Sequence, residues 1–393
     1  MYQRFSTCLL VALWVVTIPL FAQTPCPSFS VAVGSDEDQL MLAINGADNP
    51  QEQIAALDKY AQANPNSKFM ACANEYYASV YLKQNNFDKS IEYAEKDMAA
   101  NYQDLNLLLT VMRAYVGSTK VSDTIFDIIN KVPDQVQAEV KPTRPSKATD
   151  ADWDKIQKEA ADLAKDSRAY AIYAFFQLEP RVTDPAKRVQ VLDNFTKIYP
   201  EAEKDYAGQL NNAYFEAYRI QGQLDKAVEY GEKTVAADPN NVVVLNLLGF
   251  IYAFGSAKPD LDKAGEDAQK ALTVAQDMKK PEGVDEAAFK AEQTNQIGMA
   301  HLTLGYVAFV RAQKTKKLSP AIDELKTATG LLDANPALEG QALYYLAYAY
   351  ESGYPANHRG AIDALTKAAG LPGPFQAQAR DLLAKVKAAV AKQ

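Results

Sequence analysis

From residue 50 onward, apolar and polar positions follow one another with the period of an α-helix. Apolar or small residues recur at spacings of three, four and seven, as at Tyr77, Ala78 and Tyr81, and so form one stripe per helix. Short polar stretches separate the stripes. Four prolines are expected to follow second helices, because proline cannot continue a helix: Pro65, Pro200, Pro239 and Pro336. The pattern predicts a long succession of paired helices.

The predicted helix pairs are copies of one another. The sixteen residues from Phe87 to Tyr102 are echoed by residues 224–239, and shorter echoes begin at Leu261, Ala321 and Ala361. Self-similarity at intervals of a few tens of residues is typical of a stacked repeat array. Such an array grows by adding repeats to one continuous core, so this chain length does not by itself require several compact domains.

Small residues on the predicted stripes indicate where two helices approach each other most closely. Gly249, Gly305, Ala227 and Ala361 occupy these positions, and larger residues such as Tyr218 fill the space between neighbouring pairs. We expect a large side chain at Gly249 to overpack a helix crossing.

These residues resemble the tetratricopeptide repeat (TPR) family. Leu248, Gly249, Tyr252, Ala227 and Pro239 match the signature positions of that family at its 34-residue spacing. The resemblance covers most of residues 50–371, is most specific between 201 and 275, and is loose between 103 and 200. It implies an all-α fold: a right-handed superhelical solenoid of antiparallel helix pairs that binds other proteins.

The chain is predicted to have six parts. Pro142 and Pro145 interrupt the helical pattern at the best internal boundary, which is either a surface loop or a hinge between two stacks. The six parts are a signal peptide (1–22), an N-terminal arm with at most one short helix (23–49), TPR-like repeats (50–140), a linker or loop (141–150), further TPR-like repeats (151–371) and a capping helix (372–393).

The first 22 residues have the pattern of a secretion signal. Arg4 lies in a short basic region, the stretch from Cys8 to Phe21 is almost entirely apolar, and Ala22 is a small residue suited to cleavage. The apolar stretch is about 15 residues long, short of the roughly 20 that a membrane-spanning helix needs. We expect a periplasmic or secreted protein without a stable membrane span; an uncleaved anchor is the alternative.

Two cysteines remain once Cys8 has left with the leader. In an oxidising compartment Cys26 and Cys72 either form a disulfide that ties the N-terminal arm to the first full repeat, or stay as a loose and a buried thiol. The sequence sets no oligomeric state.

Little in the sequence points to catalysis. The chain has two histidines, His301 and His358, and neither stands at zinc-ligand spacing or near a cysteine in sequence. We therefore expect no catalytic residues, no metal and no cofactor. The net charge of −8, without a dense basic stripe, argues against nucleic acid as a partner.

The resemblance also implies where a partner binds. In this family the first helices of successive repeats line a concave face that receives an extended peptide or a helix. Asn212 and Asn246 lie one repeat apart and could form an amide ladder for a peptide backbone, and the aromatic members offer a large contact area. The inward-facing candidates are Asn212, Glu216, Arg219, Asn246, Phe250, Phe254, Tyr306, Phe309, Tyr344 and Tyr348.

The leading prediction is therefore an exported, non-enzymatic scaffold that binds protein or peptide partners along the concave face. Two alternatives stay open. One is a small-ligand binder or enzyme whose site lies in the irregular 103–200 region. The other is an accessory subunit of a cell-envelope assembly machine, which differs from the scaffold in the permanence of binding.

Overall fold

The structure is a computed structural model that describes residues 31–67, 69–99, 104–255, 259–313, 315 and 317–391. Within these ranges the chain consists of helices joined by turns and loops, with no β-strand. The chain divides into two compact units, one that ends at Pro200 and one that begins at Glu201.

The first unit contains eight helices in its described part and one short 3-10 turn, Glu179–Arg181. Its helices are α1 (Asp36–Asn45), α2 (Pro50–Ala63), α3 (Met70–Lys83), α4 (Phe87–Ala99), α5 (Leu105–Gly117), α6 (Asp123–Glu139), α7 (Asp150–Leu178) and α8 (Pro185–Ile198).

The second unit contains ten helices in its described part. They are α9 (Ala202–Asp205), α10 (Ala207–Ile220), α11 (Leu224–Ala237), α12 (Val242–Phe254), α13 (Leu261–Gln276), α14 (Glu286–Ala312), α15 (Ser319–Leu331), α16 (Pro336–Ser352), α17 (His358–Gly370) and α18 (Gln376–Val390).

Helices that follow one another pack as antiparallel pairs. The main pairs are α3 with α4, α10 with α11, α12 with α13, α14 with α15, and α16 with α17; α18 packs mainly on α17. Each pair also contacts the next, so the buried apolar residues form a core that runs from pair to pair within a unit. The predicted all-α solenoid of antiparallel helix pairs is confirmed.

The second unit repeats the helix order of the first about 137 residues later. From α3 to α8 the helices have 14, 13, 13, 17, 29 and 14 residues. From α10 to α15 they have 14, 14, 13, 16, 27 and 13 residues. Residues 104–200 therefore contain four regular helices, α5–α8, which are joined by loops and correspond to α12–α15, and the interpretation of this region as irregular needs correction.

The same side-chain contacts recur with the same offset. In the first unit Tyr77 of α3 and Tyr93 of α4 stack with ring centroids 4.5 Å apart, and the Tyr81 ring lies 5.5 Å from that of Tyr93. Lys89 places its ammonium group 4.8 Å from the Tyr81 ring. The equivalent residues of the second unit repeat these contacts at 4.6, 5.6 and 4.8 Å: Tyr214, Tyr218, Tyr230 and Lys226.

The proline-rich stretch that was expected as the main internal boundary is a loop within the first unit. Residues 140–149 are non-helical and mostly exposed, and they join α6 to α7, which pack on each other. The division of the chain lies later, between Pro200 and Glu201. The loop ends at Thr149, whose side chain and that of Asp152 form a capping box that begins α7.

Of the predicted N-terminal arm, the structure describes residues 31–49. This part contains α1, whose Ile44 is fully buried against α2. The carboxylate of Glu37 accepts hydrogen bonds from the hydroxyl groups of Tyr60 and Ser67. α1 is therefore anchored to the first unit by an apolar and a polar contact.

Glycines stand where two helices cross closely. A Cβ atom added at Gly249 would lie 3.2 Å from the carbonyl oxygen of Ala264 and 3.3 Å from the amide nitrogen of Ala268. At Gly305 it would lie 2.7 Å from Leu325 Cγ. The backbone of α13 thus leaves no room for a side chain at Gly249.

Three of the prolines expected to follow second helices do so: Pro65, Pro200 and Pro239 come shortly after the ends of α2, α8 and α11. Pro336 differs, because it begins α16 at the first helical position, where a missing N–H has no helical partner to lose.

Candidate partner-binding surface

Three first helices of successive pairs in the second unit, α12, α14 and α16, carry aromatic side chains that contact one another. Ring contacts link these side chains and Phe375, the residue before α18, into one continuous group. We call the group the aromatic surface; its members are Phe250, Phe254, Tyr306, Phe309, Tyr344, Tyr345, Tyr348 and Phe375.

Side-chain caps fix where the three helices begin. The side-chain oxygen of Asn241 accepts a hydrogen bond from the amide of Val244 at 3.2 Å at the start of α12. Asp285 caps α14 through the amide of Ala288 at 2.9 Å. Asn335 caps α16, with Pro336 directly after it. Because α14 packs on both α12 and α16, these starting points set which residues face each other.

The centre of the aromatic surface is a group of three rings from three helices. The ring centroid of Tyr306 lies 4.3 Å from that of Phe254 and 4.8 Å from that of Tyr345, and Phe254 lies 5.6 Å from Tyr345. Phe250 extends the group along α12, 4.6 Å from Phe254. Tilted ring pairs at such distances contribute about 0.5–1.5 kcal/mol each beyond the burial of their area.

Two edges of the surface extend from this centre. At one edge the Tyr348 ring lies 5.0 Å from Tyr344 and 6.5 Å from Phe309. At the other, Phe375 contacts Tyr344 and Tyr345 at 5.1 and 5.6 Å. Tyr348 is 37% exposed, the most open ring of this edge, whereas Phe309 is partly buried against the core.

The aromatic surface is uncharged. Burial raises the pKa of Tyr345 to about 12, and it raises the pKa of Tyr306 and Tyr344 as well, so the hydroxyl groups stay protonated at neutral pH. α12 carries no charged residue at all. The surface therefore offers ring faces and hydroxyl groups that can donate or accept a hydrogen bond.

Of the ten predicted partner-binding residues, the structure brings six together in the aromatic surface: Phe250, Phe254, Tyr306, Phe309, Tyr344 and Tyr348. Sequence reasoning missed two members. Tyr345 neighbours Tyr344 on the same helix, and the two rings still contact each other at 5.6 Å. Phe375 ends a Pro-Gly-Pro-Phe stretch that the sequence places in the capping segment 372–393.

The predicted amide ladder needs correction. Asn246 is 1% exposed, and its amide group donates to the side-chain oxygen of Gln296 at 2.7 Å and to the Gln296 carbonyl oxygen at 3.0 Å. It therefore ties α12 to α14 and cannot present its amide to a partner. Asn212 on α10 is half-buried, and without Asn246 it has no partner amide one repeat away.

Glu216 and Arg219 lie together on α10. Their side chains form an ion pair with an N–O distance of 2.6 Å, one helical turn apart. Both are partly buried, and neither makes a ring contact with the aromatic surface among the described residues.

Both histidines are paired with carboxylates. His301 Nδ1 contacts Glu324 on the neighbouring helix α15, and His358 Nδ1 lies 3.0 Å from both oxygens of Glu351. Within the described ranges, no three His, Cys, Asp or Glu side chains are placed to hold a metal ion. The search for a membrane span in that same part of the chain gave no helix with the length and apolar content required.

The predictions for the leader and the disulfide fall outside what the structure describes. The segment 1–22, with its expected cleavage at Ala22, lies outside the described residues, as does Cys26. The backbone of Cys72 belongs to α3, but its side chain is also outside the described part. Cleavage and the Cys26–Cys72 bond stay predictions.

A recess also lies between α13, α14 and α15 of the second unit. Two charged pairs involve residues of its lining: Arg311 binds Asp262, and Glu324 binds His301 of α14. The lining of the recess contains no aromatic residue, so the aromatic surface is the stronger candidate.

No family model and no curated protein matches this chain. Among solved structures, it is similar to the C-terminal part of a TPR repeat-containing protein from Cytophaga hutchinsonii, with 18% identity and a TM-score of 0.36, covering 78% of this chain and 97% of that one. It is also similar to a chain of the APC/C hetero-tetramer Cut9–Hcn1, with 15% identity and a TM-score of 0.36. That match covers 90% of this chain and 64% of the Cut9–Hcn1 chain, which is less than two thirds of the length of that chain. The fold assignment rests on the helices described above.

Proposed function

We propose that this protein is a non-enzymatic scaffold that binds an extended segment of a partner protein on the aromatic surface. The observation that carries the proposal is the unbroken chain of ring contacts from α12 across α14 and α16 to Phe375. Aromatic side chains supply large contact areas at a low cost in conformational entropy and are enriched among the residues that dominate binding energy.

The size of the aromatic surface sets the length of the segment. Packed helices lie about 8–10 Å apart, so three intervals between four neighbouring elements span about 25–30 Å. An extended chain rises about 3.3 Å per residue. A segment of about eight or nine residues would therefore cross the surface from Phe250 to Phe375.

The chemistry of the surface sets the composition of the segment. A charged side chain placed on an uncharged aromatic face loses hydration without gaining a partner, which is unfavourable. Apolar and aromatic side chains gain from the same contact, and the tyrosine hydroxyl groups can hydrogen-bond to the backbone of the segment. We expect a segment rich in apolar residues and poor in charge.

The export prediction is part of the same proposal. The basic residue Arg4, the apolar stretch that follows it and the small residue Ala22 support a cleaved leader and a periplasmic or secreted location. N-terminal sequencing of the protein from fractionated cells tests this: a mature chain that begins at Gln23 is expected, and a chain retained in the cytoplasm with its leader would contradict it.

Peptide selection tests the binding surface. A phage-displayed library of random nonapeptides is selected on the purified protein, and the affinity of the enriched peptides is measured by fluorescence anisotropy. The test variant is the double substitution Phe309→Ala and Tyr348→Ala, which removes two contacting rings at one edge of the aromatic surface. Tyr354→Ala is the matched control, because this tyrosine is 97% exposed in a loop and makes no ring contact among the described residues.

We expect the enriched peptides to include an apolar class. The affinity of this class should be at least about tenfold lower for the double variant, the size of loss typical of two contributing interface residues. The Tyr354→Ala variant should bind like the wild type, and circular dichroism should show all three proteins equally folded. Absence of an apolar class among the enriched peptides, or equal affinity of that class for the double variant and the wild type, would contradict the proposal.

A further inference from the structure

The duplication gives the aromatic surface a counterpart in the first unit. With the offset of about 137 residues, α5 and α7 correspond to α12 and α14. Tyr170 and Tyr173 of α7 then stand where Tyr306 and Phe309 stand in α14. One position differs in kind: Arg113 of α5 stands where α12 has Phe250.

These three counterpart residues form a group of their own. The Arg113 guanidinium lies 5.4 Å from the centroid of the Tyr170 ring, and the Tyr173 ring lies 5.8 Å from that of Tyr170. Tyr173 is 45% exposed. Gly117 stands at the position of Phe254, so the guanidinium rather than a second ring contacts the tyrosine.

Arg113 has unused binding capacity. It makes no ion pair or hydrogen bond with any other residue in the described part of the first unit; its one specific contact is the Tyr170 ring. A guanidinium has five N–H donors in a planar fork that matches a carboxylate, and stacking on a ring leaves the edges of that fork available. Burial raises the pKa of Tyr170 to about 12, so that tyrosine supplies no negative charge at neutral pH.

The helices that carry the group are fixed to each other. Arg181, just after α7, donates to the carbonyl oxygens of Tyr115 at 3.0 Å and Ser118 at 2.8 Å, at the C-terminal end of α5. Phe175 of α7 stacks on Phe195 of α8 with ring centroids 3.7 Å apart. Arg113 and Tyr173 are therefore held on a rigid base, which limits the entropy lost on binding.

We propose that Arg113, Tyr170 and Tyr173 form a second protein-binding surface that takes an acidic segment, with a carboxylate on the Arg113 guanidinium and an adjacent apolar side chain on Tyr173. Charge complementarity selects this partner, because an unpaired guanidinium beside aromatic rings favours a carboxylate flanked by an apolar residue. The two units thus carry surfaces at equivalent positions with different specificities: the surface of the second unit binds an apolar segment, and that of the first unit binds an acidic segment.

The same nonapeptide library tests this inference on three proteins: the wild type, Arg113→Gln, and Lys147→Gln. Lys147 is a charge-matched control, since it lies exposed in the loop before α7. All three keep the aromatic surface of the second unit intact. Apolar peptides that bind there report on the proposed function separately, so failure of one proposal is distinguishable from failure of the other.

We expect a second class of enriched peptides with Asp or Glu next to an apolar residue. Their affinity should fall at least about tenfold in Arg113→Gln, as for the loss of one charge-assisted hydrogen bond, and should stay unchanged in Lys147→Gln. The substitution Arg113→Phe should move the selection towards apolar peptides, as in the second unit.

A measurement that needs no variant covers the case in which Arg113→Gln does not fold. Each acidic peptide is compared with its amide analogue, Asp→Asn or Glu→Gln, on the wild-type protein, and about the same tenfold loss is expected. Absence of an acidic class, equal binding of the amide analogues, or equal binding to a folded Arg113→Gln variant would overturn the inference.

Discussion

Gly249 offers the sharpest test of the helix packing. Gly249→Leu introduces four carbon atoms at a crossing where the first of them would lie 3.2 Å from Ala264 O and 3.3 Å from Ala268 N. Both are backbone atoms of α13, so no flexible side chain can move aside. The helix has to shift, which disturbs its contacts with α12 and α14.

The magnitude follows from two opposing effects. Replacing a helical glycine by leucine gains about 0.8 kcal/mol of helix propensity, and overpacking a tight crossing costs about 1–3 kcal/mol or more. Because the clash is with backbone atoms, we expect a cost near the upper end of that range and a net loss of about 1–2 kcal/mol in the free energy of unfolding. For a unit of this size that corresponds to a melting temperature lower by about 2–8 °C.

Gly330→Leu is the matched control, because nothing lies within 4 Å of a Cβ atom added at this helical glycine of α15. It should be neutral or slightly stabilising, by up to about 0.8 kcal/mol. Urea denaturation followed by circular dichroism measures both variants. Equal stability of Gly249→Leu and the wild type, or equal losses for the two variants, would refute the packing described here.

Two further predictions concern buried charge in the first unit. Burial raises the pKa of Glu75 to about 8, so the folded state keeps a proton that the unfolded state releases above about pH 4.5. The free energy of unfolding should therefore fall as pH rises from about 4.5 to about 8. Glu75→Gln should flatten that decline: relative to the wild type, the variant should gain at least about 1 kcal/mol in the free energy of unfolding between pH 5 and pH 8. Urea denaturation at each pH measures this. A parallel pH profile for the variant would contradict this. Arg188 and Glu179 form a buried ion pair. Arg188→Met alone should lower the free energy of unfolding by about 3–5 kcal/mol, because it leaves the Glu179 carboxylate buried without this partner. Adding Glu179→Leu should restore much of that stability. Additive losses in this cycle would show that the two charges do not depend on each other.

The repeating pattern of apolar and small residues was sufficient to predict the helix pairs and their close crossings. Within one pair, the first helix crosses the second at a fixed position of the repeat, and only a small residue fits there. Gly249 and Gly305 occupy this position and make tight contacts. The aromatic surface was also largely predictable, since its members recur on first helices at repeat spacing.

What the sequence did not reveal depends on distant partners. Asn246 is held by Gln296, fifty residues away, and nothing near Asn246 in sequence distinguishes a buried amide from an exposed one. α7 and α14 have similar lengths and places in the fold, but their sequences differ too much for the longer duplication to be recognised. Phe375 reaches Tyr344 and Tyr345 of the aromatic surface because α18, which begins at the next residue, packs on α16 and α17.

Site-specific photocrosslinking in the native host tests the central claim most directly. A benzophenone amino acid replaces Tyr348 in one strain and the exposed loop residue Tyr354 in a second, and crosslinked peptides are identified by mass spectrometry. We expect a discrete adduct at position 348, absent at 354, whose partner peptide contains an apolar segment of about eight or nine residues. No adduct at position 348, or the same adducts at both positions, would contradict binding on the aromatic surface.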